Sequence, residues 1–65
     1  MSMKLIRIKG VMDRTGLARS TIYKYIGLGQ FPQPTKLGTR AVAWVESEID
    51  TWINDSIKRR DEEAT

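Results

Sequence analysis

A chain of 65 residues that contains neither cysteine nor histidine must hold itself together by apolar packing alone. No disulfide can staple it and no thiolate or imidazole can grip a structural metal, so its few large apolar residues have to meet in one core. That length admits one domain and leaves no room for a second activity. We read residues 1–60 as a single unit, followed over 61–65 by an acidic tail that has nothing to bury and is expected to be disordered.

Local patterns divide the unit into short elements. Residues 4–8 alternate, with Leu5 facing away from Ile6, which suits a short strand or an extended lead-in. Over 9–14, Val11 and Met12 are placed for about a turn and a half of helix, and Thr15-Gly16 ends it because glycine accepts the left-handed conformation at a helix C-terminus. A second helix is predicted over 19–28, stopping at Gly29. On a helical wheel Ile22, Tyr25 and Ile26 fall on one side, and Ser20, Tyr23, Lys24 and Gly27 on the other. Two short helices joined by Thr15-Gly16-Leu17-Ala18 form a helix-turn-helix unit, whose second helix is normally the one that reads DNA.

Pro32 and Pro34 forbid any further helix and make Phe31-Pro32-Gln33-Pro34 a rigid bend, with Phe31 as a plug between the second helix and the wing formed by the next residues. Thr35-Lys36-Leu37 and residues 40–45 are β-type runs around Gly38-Thr39, a pair that suits a two-residue type II′ hairpin. Val42 and Trp44 share a face, and Lys36 and Arg40 lie near the tip, which makes the hairpin a basic wing. The third helix, from 46 or 47 to 60, carries Ile49, Trp52, Ile53 and Ile57 along one stripe. Glu46, Glu48 and Asp50 occupy its first turns and Lys58, Arg59 and Arg60 its last, complementing the helix dipole, while Asp55 and Arg59 stand at i, i+4. Trp44 and Trp52 are in phase with aliphatic neighbours and are assigned to the core. The predicted class is α+β, mainly helical: a small winged helix-turn-helix with three helices and a β-hairpin wing.

Charge decides the direction of the functional reading. Eight of the eleven basic residues lie in 1–40 against the single acid Asp13, a net +7, whereas 41–65 holds three bases against seven acids, a net −4. A domain polarised in this way presents one surface that attracts a polyanion, and nucleic acid is the obvious one. Catalysis finds no support, since Ser20, Ser47 and Ser56 have no histidine to activate them and seven of the eight acids belong to the third helix and the tail. The glycines form no phosphate-cradling loop, so no enzyme activity, cofactor or metal is expected. The longest apolar run, 41–45, has five residues where a membrane span needs about 20, so the expected location is cytoplasmic, in association with the nucleoid.

Recognition of a duplex needs an element slim enough for the major groove, donors on its exposed N-terminal half, and flanking cations for phosphates. Arg19, in the first turn of the second helix, can reach a guanine edge or clamp a phosphate. Ser20 and, more weakly, Thr21 can donate to phosphates beside the free N–H groups of the helix start. Tyr23 on the exposed side calls for a partner, with packing against the wing as its alternative, and Lys24 projects outward next to it. At the wing, Lys36, Thr39 and Arg40 can meet the sugar–phosphate chain or enter the minor groove, while Gly38 lets the backbone come close.

These residues also form a longer pattern: Thr15-Gly16-Leu17, Arg19-Ser20-Thr21-Ile22-Tyr23, Gly29, Phe31-Pro32, Pro34, Leu37-Gly38, Arg40-Ala41-Val42-Ala43-Trp44, and Glu48-Ile49 with Trp52. Together they resemble the AlpA family of small prophage regulators, which is related to phage excisionases and to MerR-like winged-helix DNA-binding domains. The likeness runs from Leu5 to Ile57. It implies that the second helix enters the major groove through Arg19, Ser20, Tyr23 and Lys24, with Lys36, Thr39 and Arg40 at the wing. It further implies regulation of prophage or genomic-island genes, or excision of the element by bending DNA for a phage-type integrase. Two positions depart from the family pattern: Ala18, where a serine N-cap is usual, and Gly10, where a better helix former is commoner. One module of this size buries only about 600–1,000 Å² on DNA, so selective binding is expected to need cooperative self-assembly on repeated sites. The rival reading is an inhibitor that docks the third helix or the wing on an integrase or response regulator, supported by the acidic outer face Glu48, Thr51 and Asp55 of that helix.

Overall fold

The central strand of the sheet is the last of the three along the chain. In the computed structural model, which describes residues 3–63, β1 (Leu5–Ile6), α1 (Ile8–Thr15), α2 (Arg19–Gly27), β2 (Thr35–Lys36), β3 (Val42–Val45) and α3 (Glu46–Glu63) follow in that order. The three strands form an antiparallel sheet in the order β1-β3-β2. Leu5 pairs with Val45 and Ile6 with Trp44 on one side of β3, and Thr35 with Ala43 and Lys36 with Val42 on the other. The lead-in is thus a strand of the wing's own sheet, and its alternation has the expected outcome: Ile6 is buried and Leu5 exposed.

The helix-turn-helix is fixed by its turn. Gly16 adopts a left-handed φ of 72° and donates its N–H to Met12 O at 2.8 Å, closing α1. Thr15 Oγ1 donates to Val11 O at 2.8 Å and accepts the Leu17 N–H at 3.3 Å, so a single hydroxyl bonds both sides of the turn. Gly10 lies where α1 crosses β1: a Cβ built there would sit 3.4 Å from Ile6 Cβ, so the packing at this glycine is close but not prohibitive.

Ile6, Val11, Ile22, Phe31, Trp44 and Ile49 form the buried core, drawing on every helix and on two strands. Trp44, fully buried, donates its indole N–H to Pro32 O at 3.0 Å, and Trp52 donates its own to Gln30 O at 2.8 Å. The rigid bend before β2 is therefore pinned by two indoles, which answers the need of each for an acceptor at the end of its ring. Phe31 is buried as expected, but the ring it meets belongs to α3: Trp52, with centroids 4.8 Å apart.

Four expectations are corrected. The hairpin is not a two-residue type II′ turn. Leu37 N–H bonds Ala41 O at 2.8 Å, leaving Gly38, Thr39 and Arg40 as a three-residue connection, and Gly38 lacks the positive φ that a type II′ turn requires. Strand β3 accordingly starts at Val42, with Arg40 in the loop. Ile57 is 44 % exposed, because α3 runs on past the body of the domain after Ile53 and its apolar stripe outlasts the surface it packs against. Asp55 and Arg59 do not form the expected pair; Arg59 donates to Ser56 Oγ at 3.3 Å instead. Finally, α3 continues to Glu63 rather than ending at Arg60, since Asp61-Glu62-Glu63 contains no breaker and glutamate favours a helix. These residues are exposed and helical, and the rest of the expected tail, 64–65, lies outside the described residues.

The acids at the start of α3 do more than face its dipole. Arg14 of α1 donates to Glu46 and, at 3.1 Å, to Asp50, while Lys4 stands 3.9 Å from Glu46. Two turns of α3 are thereby tied to the helix-turn-helix. The architecture is α+β, mainly helical, a winged helix-turn-helix with a third strand added to the wing. No described helix is long and apolar enough to cross a membrane.

Candidate nucleic-acid interface

α2 buries Ile22 completely and half-buries Tyr25 and Ile26, which turns Arg19, Ser20, Tyr23, Lys24 and Gly27 to the surface. The helix starts from Ala18, whose extended backbone (φ −71°, ψ 154°) has the geometry of an N-cap but supplies no side-chain acceptor. Its first N–H groups therefore point outward without a side-chain cap, and neither Ser20 nor Thr21 supplies one. Thr21 is half-buried, less available than Ser20. Ala18→Ser would add the missing acceptor, and we expect it to stabilise the chain by about 1 kcal/mol. In a thermal unfolding experiment that corresponds to a midpoint raised by about 4–8 °C; an unchanged midpoint would mean that residue 18 does not cap α2.

Tyr23 is 39 % exposed and does pack against the wing: its ring meets Trp44 edge-on, with centroids 6.3 Å apart and planes inclined by 67°. The Arg19 guanidinium carbon lies over the same ring, 5.9 Å from its centroid. The exposed face of α2 is thus joined to the central strand of the sheet through Tyr23. Cross-strand pairing then locates Lys36. Opposed residues on paired strands share a face, as do residues two apart, so Lys36, Val42 and Trp44 project from the same side of the sheet, the side that meets Tyr23. Gly38, Thr39 and Arg40 are all exposed at the tip, beyond Lys36. Among the described residues no hydrogen bond or ion pair links the tip itself to α2; the nearest tie is Gln33 Nε2 to Ile26 O at 3.4 Å.

Ion pairing separates the cations of the basic half into two groups. Lys4 and Arg14 are engaged by Glu46 and Asp50. Arg7, Lys9, Arg19, Lys24, Lys36 and Arg40 form no ion pair among the described residues. Glu46 and Asp50 thus neutralise cations where α1 and β1 meet α3, and leave those of α2 and the wing uncompensated, together with Arg7 and Lys9 at the start of α1. Trp44, read from the sequence only as core, has a second role as the platform under Tyr23. Period-2 phase with Val42 signals its burial, but nothing in the sequence signals that its ring meets one from α2.

A three-stranded wing beside a helix-turn-helix, with uncompensated cations on the second helix and the hairpin, defines a small winged helix-turn-helix protein. The chain belongs to the family described as Prophage CP4-57 regulatory protein (AlpA), whose model matches residues 4–57. It is 33 % identical over 63 residues to the DNA-binding transcriptional activator AlpA of Escherichia coli (strain K12), a match covering 88 % of this chain and 90 % of that protein. It is also 42 % identical over 57 residues to a protein of Enterobacteria phage P4 described as uncharacterized protein ORF88. That match covers 88 % of this chain, which spans 65 % of the phage protein's length.

Proposed function

We propose that this chain is a sequence-specific DNA-binding protein of a prophage or genomic island. In this reading α2 enters the major groove with Arg19, Ser20, Tyr23 and Lys24, while Lys36, Gly38, Thr39 and Arg40 follow the adjoining backbone or minor groove. Thr21 adds a weaker backbone contact. The observation that carries the reading is the set of cations on α2 and the wing without carboxylate partners, on a fold whose slim second helix stands exposed. Family membership and the DNA-binding role of the Escherichia coli relative support it.

In the cell the protein would act near the nucleoid as a transcription regulator, as an excision factor working with a phage-type integrase, or as both, assembling cooperatively where sites repeat. Titration of a duplex from the element's own promoter or attachment region at two salt concentrations tests the reading. Affinity should fall steeply with salt, the logarithmic slope approaching about 0.9 per phosphate contacted. A slope near zero would remove DNA as the partner. Excision and reporter assays with and without the protein then separate the recombination role from the transcriptional one.

A further inference from the structure

Arg19, Tyr23 and Trp44 form a column that runs from the core to the surface of α2. At its foot Trp44 is fully buried and anchored by its indole N–H on Pro32 O at 3.0 Å. The edge contact of 6.3 Å passes this order to Tyr23, and the cation–π contact of 5.9 Å passes it to Arg19. The side chain of Lys24, one residue along, forms no ion pair, hydrogen bond or ring contact of this kind among the described residues. The two cations of the exposed face therefore differ: the Arg19 guanidinium lies over an aromatic ring and the Lys24 ammonium does not.

We propose that Tyr23 is a positioning residue for Arg19, and that the braced guanidinium reads one guanine. This rests on the DNA reading above and divides the labour within it. A guanidinium carries its donors in its plane, so an aromatic ring can hold it and still leave two parallel N–H groups for the O6 and N7 acceptors of guanine in the major groove. A long side chain ordered before binding also loses less freedom when it docks, which favours the one base that matches its fixed fork. Lys24, Lys36 and Arg40, lacking such a brace, supply attraction to phosphates that is the same for every sequence. Tyr23 then acts chiefly through Arg19 rather than as an independent reader.

The test selects bound duplexes from a pool with a randomised centre, using the wild-type chain, Arg19→Ala, Arg19→Lys, Tyr23→Phe and Tyr23→Leu, and rebuilds the selected duplex with 7-deazaguanine at the guanine in question. The wild type is expected to select guanine at one position and to lose about tenfold or more in affinity when N7 is removed there. Tyr23→Phe, which keeps the ring, should retain that preference. Tyr23→Leu and Arg19→Lys should flatten it about tenfold at that position alone, leaving the other positions and the salt slope as they were. An unaltered guanine preference in Tyr23→Leu overturns the proposal, as does a loss spread evenly over all positions with a lowered melting point, which is what a purely structural Tyr23 would give. A wild-type consensus with no position dependent on Arg19 overturns it while sparing the DNA reading. Failure of the wild type to retain any duplex overturns the DNA reading itself.

Discussion

Trp44→Ala is expected to abolish cooperative unfolding. Trp44 is the largest fully buried side chain, it pairs with Ile6 across the sheet, and its indole holds the Pro32 carbonyl. Truncating a buried tryptophan to alanine removes about 3–5 kcal/mol. A single core in a domain below about 70 residues rarely supplies more than that in total, and this chain has no disulfide to fall back on. Circular dichroism should therefore show little helix at room temperature and no sigmoidal melt. Trp44→Phe keeps most of the volume but orphans Pro32 O, so it should remain folded with a loss of about 1–3 kcal/mol. A Trp44→Ala chain that still melts in one sharp step would mean that the core does not turn on this residue.

The second large effect concerns binding. Lys24→Ala and Arg40→Ala together remove one cation from α2 and one from the hairpin tip, neither of which is in an ion pair, so the fold should be untouched. At about 1 kcal/mol for each exposed contact, affinity for duplex should drop roughly 30-fold near 0.1 M salt. The logarithmic salt slope should shrink by about 2, one for each phosphate released. Arg60→Ala is the control: it removes a charge from α3, where Arg60 pairs with Asp61 at 3.0 Å, and should change binding less than twofold, roughly the scale of an uninvolved surface charge. If the double variant binds like the wild type, α2 and the tip do not face the duplex. If the control weakens binding as much, attraction follows net charge rather than a surface.

Elements whose formation depends on near neighbours are legible in the sequence. Thr15-Gly16 announces the end of α1, the wheel of α2 separates Ile22 from Tyr23 and Lys24, and the prolines mark the bend. The features that escape depend on residues far apart in the chain. The pairing of Leu5 with Val45 needs a partner strand forty residues away, and local alternation cannot name it. Periodicity overstates the burial of Ile57 for the converse reason: it shows which way a side chain faces along a helix, not where the packed body stops. Arg14 illustrates the same limit in charge. Counted in sequence it belongs to the basic half, yet folding brings it to Glu46 and Asp50, so fewer cations are available to a partner than composition implies. The exposed residues of the candidate site can be named because α2 is amphipathic, and Arg19 and Tyr23 are neighbours at i, i+4; the contact of Tyr23 with Trp44 cannot be read, because its partner lies on β3.

The hairpin tip has a bearing beyond its shape. Gly38 has no positive φ, and a Cβ placed on it would meet nothing within 4 Å. Folding thus makes no demand on the identity of that residue, and any reason to keep it bare must come from whatever the loop approaches. A side chain could therefore be grafted at this one position while the melting temperature stands still, which makes it a free handle on the outermost point of the domain.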